Sequence, residues 1–164
     1  YCALSLGTPF FHVYQFITYM FLHVNFEHIF FNMFALWMFG RTLEYELGQK
    51  RFLTYYMVCG IGAALIQYLT ALAFGEFPLV LVGASGAVMG LLLAFGVLHP
   101  NAVIMLLIPP IPMKAKWFVV IYGVIELFLG WRGVGNVAHF AHVGGMLWGF
   151  LLLQWWKQRG IIRF

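Results

Sequence analysis

Long apolar stretches alternate with short polar segments along most of the chain. Apolar side chains dominate residues 16–39, 52–74, 85–98, 116–130 and 137–156, and charged residues, glycines or prolines separate these stretches. A helix needs about 20 mostly apolar residues to cross the hydrocarbon core of a bilayer. The pattern therefore predicts an all-α polytopic membrane protein, with five membrane-spanning helices in a single domain over residues 1–164.

Two further apolar pieces are too short or too interrupted to cross a bilayer. Residues 1–15 contain glycine and proline, and prolines break residues 103–112. No charged leader segment and no cleavage site precede the first predicted span. We therefore expect residues 1–15 to form a loop on the outer side, and we expect the helix that would bring the chain to that side to be missing from this sequence.

The composition also favours a membrane protein. Hydrophobic residues make up 63% of the chain and charged residues 9%, and the mean hydropathy is +0.91. Soluble domains carry about 25% charged residues. The net charge of +4 does not require a nucleic-acid partner. The two cysteines, Cys2 and Cys59, indicate neither a disulfide framework nor a metal site, and Cys59 is expected to pack within a helix.

The basic residues predict an orientation. If the five spans are correct, Arg132 alone lies on one side of the membrane, and the other basic residues lie on the opposite side: Arg41, Lys50, Arg51, Lys114, Lys116, Lys157, Arg159 and Arg163. The positive-inside rule assigns the basic side to the cytoplasm. We therefore expect a cytoplasmic C-terminus. The expected location is a bacterial inner or plasma membrane.

Four polar side chains are predicted to lie at one depth, toward the outer half of the membrane. Ser85 opens the third span, His142 lies in the fifth, and His28 and Asn32 share a face of the first because they are four residues apart. A histidine beside a serine can take the hydroxyl proton as the oxygen attacks a carbonyl. His28, Asn32 and the backbone N–H groups at Ser85 could then stabilise the oxyanion.

A third catalytic residue is not evident in the sequence. The chain contains no aspartate, and Glu44, Glu46 and Glu76 fall in segments outside the predicted pocket. Glu27 and Glu126 remain open as candidates. The most economical interpretation is a Ser–His dyad whose histidine is oriented by packing. His139, taken alone, is more typical of a hydrogen bond between membrane helices.

Metal binding, haem binding and transport explain these residues less well than catalysis does. The zinc-protease pattern HExxH is absent, so no metal site and no cofactor are predicted. Paired histidines could bind haem, but that interpretation leaves Ser85 unexplained. A transporter would distribute polar groups along a path across the membrane, whereas here they cluster near one end. Gly83 and Gly86 are expected to allow a tight turn and close approach to a substrate backbone.

Three motifs together resemble the rhomboid family of intramembrane serine proteases. They are His23, His28 and Asn32 in the first span, Gly83 to Gly86 at the start of the third, and Ala141, His142 and Gly145 in the fifth. The segment from Phe39 to Glu44, followed by Gly48, is also similar to that family. The resemblance covers residues 14–157, and the motifs occur in the family's order.

The resemblance implies a six-helix core, so that the family's first helix would be absent here. It implies Ser85 as the nucleophile, His142 as the general base, and an oxyanion hole formed by His28, Asn32 and the Ser85 backbone N–H. It further implies that His23 holds the outer loop and that Glu44 joins a hydrogen-bond network at the cytoplasmic end. Residues 1–15 would form the lateral loop, and residues 77–82 would dip inward to present the serine.

Two positions depart from the family pattern. Many relatives have Trp-Arg where this chain has Tyr14 and Gln15, which leaves the anchoring of the lateral loop open. Relatives often place an aromatic residue four positions after the serine, where this chain has Met89; a thioether can still pack against an imidazole edge. The expected function is endopeptidase cleavage of single-span membrane proteins in the bilayer, near its outer face. The alternative is a non-proteolytic relative that binds membrane proteins.

Overall fold

The computed structural model describes residues 1–105, 110–133 and 138–164, and these residues are mostly helical. The helices are α1 (Gln15–Thr18), α2 (Phe26–Ala35), α3 (Arg41–Leu47), α4 (Gln49–Phe74), α5 (Ser85–Leu98), α6 (Ala115–Arg132) and α7 (His139–Gln158). A 3₁₀ turn, Tyr19–Phe21, follows α1, and a π-helical turn, Leu36–Gly40, joins α2 to α3. The predicted start of the fifth span at residue 137 lies outside the described residues.

The first long helix begins later than the apolar pattern predicted. The apolar stretch was expected to form one helix over residues 16–39, but the chain leaves the helical conformation after Phe21 and α2 starts at Phe26. Asn25 has extended backbone, and its side-chain oxygen accepts a hydrogen bond from the His28 N–H at 2.8 Å. This cap satisfies an N–H group that a helix start leaves without a partner, so it determines where α2 begins.

The described residues also include four short strands, so the fold is not entirely helical. Strand β1 (Leu4–Leu6) pairs antiparallel with β2 (Leu79–Leu81), with Leu4 opposite Leu81. Strand β3 (Val103–Met105) pairs with β4 (Pro112–Lys114). The first sheet ties the N-terminal segment to the residues that lead into α5, and therefore helps to place Ser85.

The core is formed by close packing of α4, α5 and α7. A Cβ atom added at Gly145 on α7 would collide with the Gly86 carbonyl on α5, and one added at Gly90 would collide with Cys59 on α4. Small residues let membrane helices approach closely, which increases their van der Waals contact. The buried Tyr55 hydroxyl donates to the Gly90 carbonyl at 2.9 Å and links α4 to α5. This packing brings the first turns of α5 and α7 together.

Among the described residues, α4 alone combines the length and hydropathy expected of a helix that crosses a bilayer. Helix α5 is apolar but shorter, at 14 residues. The five predicted crossings therefore remain a prediction beyond this one helix.

Candidate active site

Ser85 is the first residue of α5, and the backbone before it is arranged by a glycine. Gly83 has a φ of +119°, a region that L-residues with a side chain rarely adopt. Its N–H donates to the Tyr19 carbonyl at 2.9 Å. A Cβ atom at Gly83 would lie 2.7 Å from the His28 ring, so the imidazole occupies the space that the missing side chain leaves. This turn places Ser85 and His28 on the same side of the bundle.

The side chains of Ser85 and His142 are in hydrogen-bond contact. His142 lies in the first turns of α7, and its Nε2 is 2.9 Å from Ser85 Oγ. The imidazole is buried, with 8% of the residue exposed. The close packing of Gly86 against Gly145 determines the separation of the two helices here. The structure thus joins residues separated by 57 positions in the sequence, at the distance required for proton transfer.

The third partner is a carboxylate on α6. The Oε2 atom of Glu126 lies 3.0 Å from His142 Nδ1 and 2.7 Å from His139 Nδ1. The expectation that packing alone orients His142 therefore differs from the structure, where a hydrogen-bonded carboxylate faces the ring. Glu126 is one of the two glutamates that the sequence leaves as candidates, and His139 makes the inter-helix hydrogen bond expected of it. Neither residue lies in a motif that connects it to Ser85.

The two predicted oxyanion donors, His28 and Asn32, line the same cavity as the serine. The Val24 N–H points to His28 Nδ1 at 3.4 Å, which makes Nδ1 the acceptor and leaves the ring proton on Nε2. Nε2 and the neighbouring Cε1 are the ring atoms that lie against Gly83. Asn32 is buried, and its side-chain NH₂ donates to the His28 carbonyl at 2.9 Å. The Ser85 N–H belongs to the first turn of α5, where N–H groups have no partner within the helix.

A cavity of about 1380 Å³ connects these groups. Its lining includes both Ser85 and His142, together with Tyr19, His28, Asn32 and Met89. Met89 is partly buried and lies one helical turn after the serine. The cavity is large enough for a segment of polypeptide next to the serine.

The remaining predicted residues lie around this site or far from it. The His23 and His28 rings make an edge contact with their centroids 5.0 Å apart, which places His23 at the rim. Gly86 packs against Ala63 of α4. Glu44 is exposed on α3, near the end of the bundle opposite Ser85, so its predicted network stays a prediction.

One group of described residues has the geometry to hold a metal ion. The ligand atoms of Glu126, His139 and His142 all lie within 4.8 Å of one another. Two imidazoles and one carboxylate are a common ligand set for Zn²⁺. The same atoms are also joined by short hydrogen bonds, so the three side chains can hold one another in place without a metal.

The role of Gln15 in organising the N-terminal loop was not predicted from the sequence. Gln15 is fully buried at 0% exposed. Its Oε1 accepts from the N–H groups of Ser5 and His12 at 3.1 and 3.2 Å, and its Nε2 donates to the carbonyls of Tyr1 and Phe10 at 3.0 and 2.9 Å. The only available signal was its position beside Tyr14, where relatives carry a different pair.

Comparison with known proteins agrees with the family resemblance seen in the sequence motifs. The family model described as Rhomboid domain matches residues 11–157. Rhomboid protein 1, mitochondrial, of Saccharomyces cerevisiae is 34% identical over 86% of this chain and 41% of its own length. Presenilin-associated rhomboid-like protein A, mitochondrial, of Danio rerio is 32% identical over 88% of this chain and 39% of its own length. Rhomboid-like protein 11, chloroplastic, of Arabidopsis thaliana is 41% identical over 48% of this chain and 26% of its own length.

These relatives correct one prediction. The chain was expected in a bacterial inner or plasma membrane with a cytoplasmic C-terminus, but the names of these relatives place them in mitochondria and chloroplasts. The positive-inside rule distinguishes the two faces of a membrane and does not identify the membrane. The chain spans about two fifths of the length of the first two of these curated relatives.

Proposed function

Since the chain belongs to the rhomboid family, we propose that it is an intramembrane serine endopeptidase in which Ser85 is the nucleophile and His142 the general base. The observation that carries the proposal is the 2.9 Å contact between Ser85 Oγ and His142 Nε2. The contact lies in a cavity beside two N–H donors from another helix. The organellar relatives favour a mitochondrial or plastid membrane as the location.

The chemistry proceeds through an acyl-enzyme. His142 Nε2 takes the Ser85 hydroxyl proton as Oγ bonds to the scissile carbonyl carbon, and the carbonyl oxygen becomes negatively charged. His28 Nε2–H, the Asn32 amide and the Ser85 N–H stabilise that charge. The imidazolium then protonates the leaving amine as the peptide bond breaks. Water, activated by the same histidine, hydrolyses the ester and restores the serine.

The substrate class follows from the surroundings of the site. The bundle is apolar on its outside, and Ser85 lies at the start of an apolar helix. A helix in lipid satisfies its own backbone hydrogen bonds, so a carbonyl must be freed before it can be attacked. The proposed substrates are therefore membrane-spanning helices that unwind locally and are cut near the end of the bundle that holds Ser85; single-span membrane proteins are the simplest of these. The protein needs no cofactor for this reaction.

The first prediction tests the two reacting residues. The full-length protein is reconstituted in liposomes with a single-span model substrate, and cleavage is followed together with labelling by a fluorophosphonate, which reacts with activated serines. Ser85→Ala abolishes both signals, and His142→Ala lowers both by about 100-fold or more because general-base catalysis is lost.

The chain contains only one other serine, so Ser5→Ala is the matched control and retains both signals. Cleavage that persists in Ser85→Ala would exclude Ser85 as the nucleophile. If wild-type protein binds the substrate but is neither labelled nor cleaves it, the alternative of a non-proteolytic membrane-protein-binding relative replaces this proposal.

A further inference from the structure

Glu126 is an exception among the buried side chains of its helix. Helix α6 buries few side chains, and the buried ones are Ala115, Val119 and Glu126. Glu126 is only 4% exposed. Burying a carboxylate is costly unless other groups compensate it, and more so at membrane depth. The imidazoles of His139 and His142 on α7 compensate this cost. The His142 ring is also the one that contacts Ser85.

The hydrogen bonds determine where the protons lie. A carboxylate oxygen accepts hydrogen bonds and has no proton to donate. Oε2 of Glu126 is within hydrogen-bond distance of Nδ1 in both His139 and His142, so each Nδ1 carries a proton. A neutral imidazole has one proton, and therefore Nε2 of His142 presents its lone pair to Ser85 Oγ. This is the tautomer that a general base needs.

From this geometry we propose that Glu126 is a positioning residue for His142, an inference that rests on the proposed proteolytic function. The carboxylate selects the Nδ1-protonated tautomer, holds the ring plane toward Ser85, and stabilises the imidazolium that forms when Nε2 takes the serine proton. The site then operates as a hydrogen-bonded triad of Ser85, His142 and Glu126, in which the carboxylate stays ionised. In this respect it differs from the dyad that the sequence favoured.

His139 completes the arrangement from the other side. Its Nδ1 lies 2.7 Å from the same Oε2 atom, so the carboxylate is held between two donors three residues apart on α7. One oxygen that accepts two hydrogen bonds has little freedom to rotate away from His142. His139 therefore orients Glu126, and Glu126 orients His142. A carboxylate that served only to join α6 to α7 would need neither a particular tautomer of His142 nor contact with that ring.

The test uses Glu126→Gln, which keeps the shape of the side chain and removes its charge. Cleavage and fluorophosphonate labelling are measured on the full-length protein in liposomes, with a chelator present because these three side chains could hold a metal. We expect kcat to fall by about 100-fold or more, as for loss of general-base catalysis. KM stays close to its wild-type value, since Glu126 is not among the described residues that line the cavity.

The chain offers a matched control at the opposite end of α5. Glu46 and His99 form a second carboxylate–imidazole pair, with His99 Nε2 2.9 Å from Glu46 Oε1 and both side chains partly exposed. Glu46→Gln removes the same kind of contact far from Ser85, and its kcat stays near wild type. Equal losses in the two variants would show a general stability effect and overturn the inference.

A second measurement does not depend on activity. Histidine labelled with ¹⁵N is observed by NMR in the Ser85→Ala background, where the His142 signal is assigned by its loss in His142→Ala. In this background we expect the protein that retains Glu126 to show His142 protonated at Nδ1. Adding Glu126→Gln shifts the signal toward a mixture of tautomers. An unchanged tautomer would overturn the inference.

These measurements separate two failures. If Ser85→Ala abolishes cleavage while Glu126→Gln retains wild-type kcat, the proposed function stands and the positioning inference is wrong. If Ser85→Ala still cleaves, the proposed function fails and the NMR result alone decides the tautomer. Should Glu126→Gln fail to fold, Glu126→Asp, which keeps the charge, provides the second variant; its loss of kcat stays below the roughly 100-fold expected when general-base catalysis is lost. A loss of 100-fold or more in a folded Glu126→Asp protein would contradict a role that depends on the charge.

Discussion

Two histidines of the site have opposite tautomers, and each is determined by a different kind of partner. The carboxylate of Glu126 makes His142 a donor at Nδ1 and an acceptor toward Ser85. The Val24 N–H makes His28 an acceptor at Nδ1 and a donor at Nε2, beside Gly83. A base and an electrostatic stabiliser need these opposite states. The same side chain therefore serves two tasks because of its hydrogen-bond partners.

The oxyanion donors provide a prediction at this scale. His28→Ala and Asn32→Ala each lower kcat by roughly 100-fold, because a preorganised donor to the developing charge is lost. The Ser85 N–H remains in both variants, so activity falls without disappearing. The measurement is single-turnover cleavage of the model substrate in liposomes.

His99→Ala is the control for these variants, since it removes an imidazole at the far end of α5 and leaves kcat unchanged. A rise in KM with kcat unchanged in His28→Ala or Asn32→Ala would contradict the assignment. It would mean that these side chains bind the substrate and the transition state equally.

At the level of single residues, the motifs predicted most residues of the candidate site but not the hydrogen bonds between them. Ser85, His142, His28 and Asn32 could be selected because their spacings match one family. The bond from His142 to Glu126 could not be predicted, because it depends on how α6 and α7 cross. Only the structure shows that a carboxylate 16 positions before His142 faces its ring.

At the level of elements, the N-terminal loop is organised by one buried amide. Gln15 uses both of its polar atoms, and its four hydrogen bonds reach backbone groups of residues 1, 5, 10 and 12. Strand β1 lies in this loop and pairs with β2, which leads to Gly83 and Ser85. Gln15 is therefore the hydrogen-bond centre of this loop.

Gln15→Ala is expected to loosen this loop. Several backbone groups lose a partner at once, which destabilises the closed loop by on the order of 2 kcal/mol. Amide hydrogen exchange in residues 1–14 then accelerates by about 30-fold, the factor that corresponds to this free energy. Mass spectrometry of the exchanged peptides measures it.

Tyr14→Phe is the matched control, because it removes a single exposed hydrogen bond to the Tyr1 carbonyl. Its exchange rates stay close to wild type. Equal acceleration in both variants would show that Gln15 has no special role in the loop.

The start of α2 shows why the sequence predicted the first helix to begin too early. Residues 16–25 are nearly as apolar as residues 26–39, so hydropathy does not reveal the break between them. The helix start is determined by a local hydrogen bond, from the His28 N–H to the Asn25 side chain. An asparagine three positions before a histidine is a weak signal unless the backbone conformation is known.

The whole molecule combines a tightly packed centre with an apolar outside. Helices α4, α5 and α7 approach closely at glycines, whereas α6 exposes large apolar side chains such as Val120, Val124 and Phe128. In the described part of the chain, α4 alone meets the criteria for a membrane-crossing helix. Helix α6 carries Lys116, Glu126 and Arg132, and one of these, Glu126, belongs to the site. Glu126 is thus one of the three charges that lower the hydropathy of α6, and it is the one that faces His142.

The five predicted crossings can be tested by the side from which cysteines are labelled. In a background without Cys2 and Cys59, single cysteines replace Lys50, Glu76 and Arg159 in the full-length protein. Lys50 lies near the start of α4 and Glu76 lies just after its end. Cysteines at these two positions therefore react from opposite sides of the membrane. Between Glu76 and Arg159 the predicted bundle crosses three more times, through α5, α6 and α7. Arg159→Cys therefore reacts from the same side as Lys50→Cys.

Ser85 follows Glu76 without an intervening helix, so the side that labels Glu76→Cys is also the side on which substrates are cut. Membrane-impermeant maleimide is applied to sealed vesicles and again after permeabilisation, and cleavage fragments are assigned to a side by protease protection. Labelling of Arg159→Cys from the Glu76 side would rule out an odd number of crossings between them, and with it the five-span bundle. The side on which cleavage occurs is measured separately, so this outcome would leave the chemistry at Ser85 unaffected.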